Sequence, residues 1–366
     1  MAGRWGARSG RQCAGGARGG WATSRSILRR TGVVAVGCLR YYRCTTAEGE
    51  PVPDLDTPPL GVILTGGRAT RLRPLSDGMP KSLIPLLNRP LIAYSLDLLF
   101  GAGIREVVVV VGGQDDRTGP AARAAAPAGM TVHVAVQVEP RGSGDALLSA
   151  GAHLDGRHVV VAAVDTVLRG DEGASGSLGG QVRAFLASGT DAWYVLHETD
   201  RPKEMGIVVL EGQRVLHLEE KPAEPRSKLA LVGIWMVSPR AVERLRANPA
   251  VSIRGEIELS GTLATMHAEG FPMGGAEYRG DWLDTGTLAS LLATQRSLLG
   301  AQGAPALIAA DATVEGSTLG INVVVGAGAV VRNCTLRDVL VAPGAHLEGV
   351  VASNEVITAD GTRTRV

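Results

Sequence analysis

Arg71 and Lys81 stand ten residues apart in a stretch dense in small residues. It reads Leu64-Thr65-Gly66-Gly67-Arg68-Ala69-Thr70-Arg71-Leu72-Arg73-Pro74, then Met79-Pro80-Lys81-Ser82-Leu83-Ile84-Pro85. The apolar run Gly61-Val62-Ile63-Leu64 directly precedes it. A buried strand that feeds small residues, then an arginine and a lysine on one short loop, gathers backbone N–H groups and two fixed positive charges at the carboxyl end of a sheet. An α/β protein holds a polyphosphate at such a place. Two common phosphate loops are excluded, since there is no G-x-x-x-x-G-K-[ST] and the first βα turn lacks G-x-G-x-x-G. Two aspartates further on stand at the ends of apolar stretches: Asp165 after the run His158–Val164, at the edge of a sheet where ligands bind, and Asp284 in Trp282-Leu283-Asp284-Thr285-Gly286-Thr287. An aspartate at a strand end also serves as a turn residue or a helix cap, so neither alone specifies a metal.

The elements that would position these residues alternate between strand and helix. Gly61–Leu64 and Glu106–Val111 read as buried strands of the parallel type, and Leu91–Phe100 as a helix stopped at Gly101 and Gly103. Thr131–Gln137, Gly144–Leu154, His158–Val164 and Gly180–Ala187 continue the alternation. The pattern predicts an α/β fold, a Rossmann-like three-layer domain over residues 59–300. Trp193–His197, Gly206–Leu210, Arg214–Leu218 and Ala230–Val237 follow at short spacing and predict an antiparallel addition, which makes the sheet mixed. After a helix at Leu288–Leu299, Val324, Val330 and Leu336 recur at six-residue spacing, slip to five before Val341 and resume at Leu347. That spacing predicts a short left-handed parallel β-helix in residues 301–366, suited to supporting a homo-oligomer.

At the glycine-rich loop the chain resembles the sugar-1-phosphate nucleotidylyltransferases, whose signature is G-G-x-G-T-R-L-x-P followed by K-x-L-x-P. The resemblance extends over about residues 60–300, with Ala69 standing where the family has glycine. It implies a nucleotidyltransferase that joins a nucleoside triphosphate to a sugar 1-phosphate and releases pyrophosphate. Two anions must then be brought together, which calls for cations and a metal rather than a nucleophile. Arg71 and Lys81 are the implied catalytic cations, and Gly66, Gly67 and Thr70 belong to the nucleotide loop. Asp165 and Asp284 are the implied Mg²⁺ ligands, with Val164 where Asp165 usually has a glycine neighbour. Gln137 is implied to read the base, with Gly142 as the small residue that admits it. On the sugar side the resemblance implies Gly206, Glu220 and Lys221 of an E-K-P element, Leu231, and Arg254 of an R-G-E-x-E element. Glucose 1-phosphate with dTTP is the favoured pair, UTP is next, and mannose 1-phosphate with GTP stays open. A catalytically silent relative that binds sugar nucleotides as a regulator is the alternative from a different class.

Composition limits the other possibilities. The 366 residues are 45% hydrophobic, enough for a full core. Residues 1–47 hold nine arginines and no acid, which leaves 28 basic against 36 acidic groups, a balance of −8, on the remainder. That balance argues against a nucleic-acid partner. Four cysteines without C-x-x-C spacing give neither a zinc site nor a disulfide framework, and the apolar run Gly32–Leu39 is too short to span a membrane. Residues 1–58 show no period that would bury a face, and three readings compete: an organellar transit peptide, a secretory or twin-arginine signal, or translated upstream sequence. The expected location is cytoplasmic, or organellar if the arginine-rich segment is a transit peptide.

Overall fold

The computed structural model describes residues 57–67, 69–170, 176–252 and 255–366. The segment read as an extension therefore lies outside the described residues except for Thr57 and Pro58, and Arg254 lies outside them too.

A nine-stranded sheet organises the chain. Its order is Thr131–Gln137, Glu106–Gly112, Leu60–Leu64, Val159–Ala163, Leu229–Val237, Ala192–Glu198, Met273–Glu277, Arg214–Glu220 and Gly206–Glu211. The first four strands are parallel, with Val62 opposite Val108 on one side and Val161 on the other. Five consecutive buried valines in Glu106–Gly112 explain its inner position, because a parallel strand must be apolar on both faces. Side chains alternate between two cores. Ile63, Val107, Val109 and Val160 face the helices Leu91–Gly101, Leu178–Ser188 and Leu288–Ala301. Val62, Val108 and Val161 face Ser143–Leu148, Pro239–Ala247 and Leu259–Ala268. The result is a three-layer α/β arrangement, and each fully buried aliphatic side chain in it contributes about 1.5–3 kcal/mol.

Two expectations about elements change. The helix read over Gly144–Leu154 is an α-helix only at Ser143–Leu148, then a 3-10 turn at Gly151–Leu154, because Gly151 takes a left-handed φ of 60°. The added strands are mostly antiparallel, but Ala192–Glu198 also pairs in parallel with Met273–Glu277, a strand that its glycines hide. Those glycines are needed there, since a Cβ on Gly274 would lie 2.6 Å from Cε3 of Trp193.

Residues after Ala306 stack in parallel: Val323 lies opposite Val339, which lies opposite Glu355, and Val330 lies opposite His346. Successive layers are thus sixteen residues apart here. Left-handed φ values recur at three corners, at Asn322, Asp338 and Asn354, at Gly328 and Gly344, and at Gly316, Asn333 and Gly349. Three repeats of six would give about eighteen residues per layer, and the slip before Val341 belongs to this shortening. Val324, Leu340 and Val356 join the core beneath the main sheet. The Gln295 amide donates to the Asn322 carbonyl at 3.1 Å, and Arg296 pairs with Asp338 at 2.7 Å, which fixes the stack to helix Leu288–Ala301.

Candidate functional site

Asp165 leaves the sheet two residues past strand Val159–Ala163, at its carboxyl edge. The next segment, Thr166–Arg169, pairs antiparallel with Asp281–Asp284, and the register sets Asp284 opposite Thr166. Two acids distant in sequence are thereby brought to neighbouring positions. The following turn closes on the same point: the Thr285 N–H and hydroxyl donate to the Asp165 carbonyl at 3.2 and 2.9 Å, and the Gly286 N–H donates to Asp284 Oδ1 at 3.1 Å. A Cβ built on Gly286 would lie 3.1 Å from Asp284 Oδ1, 3.2 Å from Arg71 Nη2 and 3.6 Å from Asp165 Oδ2. Both carboxylates and the guanidinium therefore surround one point. Lys81, at the start of a 3-10 turn, donates from Nζ to Asp165 Oδ2.

The two departures in this corner have different consequences. Val164 is buried and packs into the core, so its side chain does not enter the acidic corner. Ala69 takes φ 46° and ψ 29°, a left-handed conformation that costs a residue with a Cβ about 1–2 kcal/mol. Gly66, Gly67, Thr70 and Arg71 are exposed beside it, and Gly67 takes φ 130°.

Gln137 ends its strand buried, and its amide is committed at one end. Its Nε2 donates to the Gly142 carbonyl at 3.1 Å and to Asp145 Oδ2 at 2.8 Å. An ionised carboxylate only accepts, so Asp145 fixes the NH₂ end inward. Oε1 remains, 3.5 Å from a Cβ built on Gly66 of the phosphate loop. The expectation that Gln137 both donates and accepts toward a ligand is corrected: both of its N–H groups have partners inside the protein. Gly142 also has a different structural reason from the expected one. It takes φ 105°, and a Cβ there would run into the Ile257 backbone, with the carbonyl carbon 2.8 Å away. The Gly144 N–H donates to the Ile257 carbonyl at 2.8 Å, and the Ile257 N–H donates to the Arg141 carbonyl at 2.7 Å. The segment expected to grip a sugar phosphate through Arg254 thus backs onto the loop beside Gln137.

Gly206, Glu220 and Leu231 meet at the far end of the sheet. Gly206 lies opposite Glu220 in the strand register, and a Cβ on it would stand 2.8 Å from Leu231 Cδ1 and 2.9 Å from Glu220 Oε2. Lys221 has a left-handed φ of 46°, its N–H donates to the Met205 carbonyl at 3.0 Å, and its exposed Nζ lies 3.6 Å from Glu220 Oε1. Such a conformation in a lysine is strained and persists only where the surroundings hold it. A register shift between Leu231 and Trp235 carries Gly233 over Thr166, whose hydroxyl donates to the Val232 carbonyl at 2.5 Å. The sugar-side residues are thus tied to the residue next to Asp165. Sequence reading missed Asp145, Gly233, Thr285 and Ile257, and only the glycine carried a hint, as an isolated glycine in a strand marks a bulge.

Comparison with known proteins gives the family of the chain. The family described as "Nucleotidyl transferase" matches residues 60–300, the span that holds every strand of the nine-stranded sheet. A glucose-1-phosphate thymidylyltransferase of Streptomyces antibioticus is 33% identical over 279 residues, covering 74% of this chain and 74% of that protein. One of Streptomyces griseus is 32% identical over 239 residues, 65% of each, so this chain spans 65% of that relative's length. A solved UDP-glucose pyrophosphorylase in complex with UDP-glucose shares the fold, with a TM-score of 0.57 at 18% identity, covering 66% of this chain and 99% of that one. The matched span includes the cationic loop, both aspartates and the Gly206 cradle, and the chain belongs to the nucleotidyl transferase family as one of its sugar-1-phosphate nucleotidyltransferases.

Proposed function

We propose that the chain transfers a nucleotidyl group from dTTP or UTP to glucose 1-phosphate, giving a nucleoside diphosphate sugar and pyrophosphate. The observation that carries this is the gathering of Arg71, Asp165 and Asp284 around Gly286, with Lys81 on Asp165. In the transfer a phosphate oxygen of the sugar bonds to the α-phosphorus as the bond to the bridging oxygen breaks, and pyrophosphate leaves with that electron pair. Arg71 and Lys81 offset the charge of the phosphates, Arg71 as a planar clamp and Lys81 as a point charge. Asp165 and Asp284 fit Mg²⁺, which takes one or two carboxylates with phosphate oxygens and water, and both present an oxygen within 3.6 Å of one point. When bound, the ion supplies charge neutralisation between the reacting phosphates.

Gln137 bears on the choice of thymine or uracil over cytosine. With its NH₂ end held by Asp145, its Oε1 can only accept, which suits the ring N–H of thymine or uracil, as it would the N1–H of guanine, and opposes cytosine, whose N3 is itself an acceptor. Asp145→Asn lets Gln137 turn over, and its preference for dTTP over CTP is expected to fall about tenfold in kcat/KM, a change of about one hydrogen bond. On the sugar side, Gly206→Ala forces a methyl against Leu231 and Glu220, and overpacking of about 1–3 kcal/mol should raise the KM for glucose 1-phosphate about tenfold or more. The KM for dTTP should stay near the parent value.

The same proposal takes residues 59–300 as the transferase domain and the stack from residue 301 onward as a short left-handed parallel β-helix that supports a homo-oligomer. The proposed location is cytoplasmic, or organellar if the arginine-rich segment is a transit peptide. Among the described residues no helix is long and apolar enough to cross a membrane. Pyrophosphate release measured for four nucleoside triphosphates against glucose 1-phosphate, mannose 1-phosphate and N-acetylglucosamine 1-phosphate tests the reading. Fastest release with dTTP or UTP and glucose 1-phosphate is expected, and fastest release with GTP and mannose 1-phosphate overturns the substrate pair.

A further inference from the structure

At the opposite, amino edge of the parallel strands, Glu106, His133 and His153 bring their ligand atoms together, all within 4.8 Å of one another. Glu106 opens its strand, and His133 comes from the edge strand beside it, two residues past Glu106's own partner Thr131 and therefore on the same face. His153 comes from the 3-10 turn Gly151–Leu154 that packs over that edge. His133 Nε2 is 3.2 Å from Glu106 Oε1, and the two imidazole rings stand 4.5 Å apart between centroids. Arg157 Nη1 holds the other carboxylate oxygen at 3.1 Å. His133 and Gln137 are four residues apart on one strand, about 13 Å, so this cluster is separate from the nucleotide corner.

We propose that Glu106, His133 and His153 form a binding site for a zinc-class divalent ion. Two imidazole nitrogens and one carboxylate oxygen are a ligand set of Zn²⁺, which leaves a fourth position for water. Mg²⁺ does not compete well for it, since it prefers oxygen ligands. Tetrahedral ligands around Zn²⁺ lie about 3.3 Å apart, close to the His133–Glu106 separation. Arg157 supplies an ion-pair partner for the other carboxylate oxygen, in the place where ligating carboxylates commonly have an outer-shell partner. Metal binding uses the neutral imidazole, with one ring nitrogen of each histidine turned to the ion. The bound ion would clip the Gly151–Leu154 turn to the sheet edge.

The test is a Zn²⁺ titration of the chelator-stripped full chain in excess Mg²⁺, which occupies hard oxygen sites, followed by calorimetry and by thermal melting. One Zn²⁺ per chain and a raised melting temperature are expected. His153→Ala and His133→Gln should each weaken binding by at least about 100-fold and remove the melting shift, with His153→Gln as a second variant if either fails to fold. Asp165→Asn should bind Zn²⁺ as the parent does, so a failure of the transferase assignment does not touch this result. Absence of binding by the parent at micromolar Zn²⁺, or equal binding by the parent and the folded histidine variants, overturns the site.

Discussion

Asp165→Asn is expected to lower pyrophosphate release by about 10²–10³-fold, the magnitude seen when one group that stabilises developing charge is removed. The amide keeps the carboxylate's shape and loses its charge. A neutral amide holds a divalent ion poorly and no longer forms an ion pair with Lys81, so the phosphates lose the charge of the ion and Lys81 loses the carboxylate that positions it. The fold should survive, because the contacts that join residues 165 and 285 run through the Asp165 backbone carbonyl, and the core on which Val164 packs is untouched. A steady-state assay beside a thermal melt separates the effects: lost turnover with an unchanged melting temperature is the expected pair of results. Turnover within twofold of the parent would remove Asp165 from the reaction.

Lys81→Met should lower kcat/KM by about 10²-fold, with most of the change in the triphosphate rather than in the sugar phosphate. Lys81 is the cation closest to Asp165 among the contacts described, and the side chains of the pair are 13% and 25% exposed. Partial exposure limits the structural cost, and stability should fall by about 1 kcal/mol or less. Lys81→Arg is not expected to restore the parent, since a planar fork replaces a compact ammonium in a corner where Arg71 already stands close to both acids. Initial rates at varied dTTP and varied glucose 1-phosphate check this, and an unchanged dTTP dependence would contradict the role given to Lys81.

Much of the phosphate corner was legible because its chemistry is local. Arg71 and Lys81 share one short loop after a strand whose apolar character is plain, and the run of valines in Glu106–Gly112 could be little other than a buried parallel strand. The convergence of Asp165 and Asp284 had to be taken from resemblance. It depends on pairing Thr166–Arg169 with Asp281–Asp284, two four-residue strands too short to show a period and too far apart for spacing to relate them. Asp145 escaped notice for a similar reason: an acid in the first turn of a helix looks like a response to the helix dipole, and its role as the partner of Gln137 appears only once the loop is folded. Met273–Glu277 was hidden by its glycines, whose purpose is to make room for Trp193 and Tyr194 from the neighbouring strand.

Binding of Mn²⁺ as a paramagnetic substitute for Mg²⁺, followed by electron paramagnetic resonance in the presence of dTTP, tests the paired aspartates most directly. The parent should bind Mn²⁺ at the nucleotide corner, and both Asp165→Asn and Asp284→Asn should lose that ion while keeping their melting temperatures. Undiminished Mn²⁺ binding in a folded Asp284→Asn chain would contradict the account.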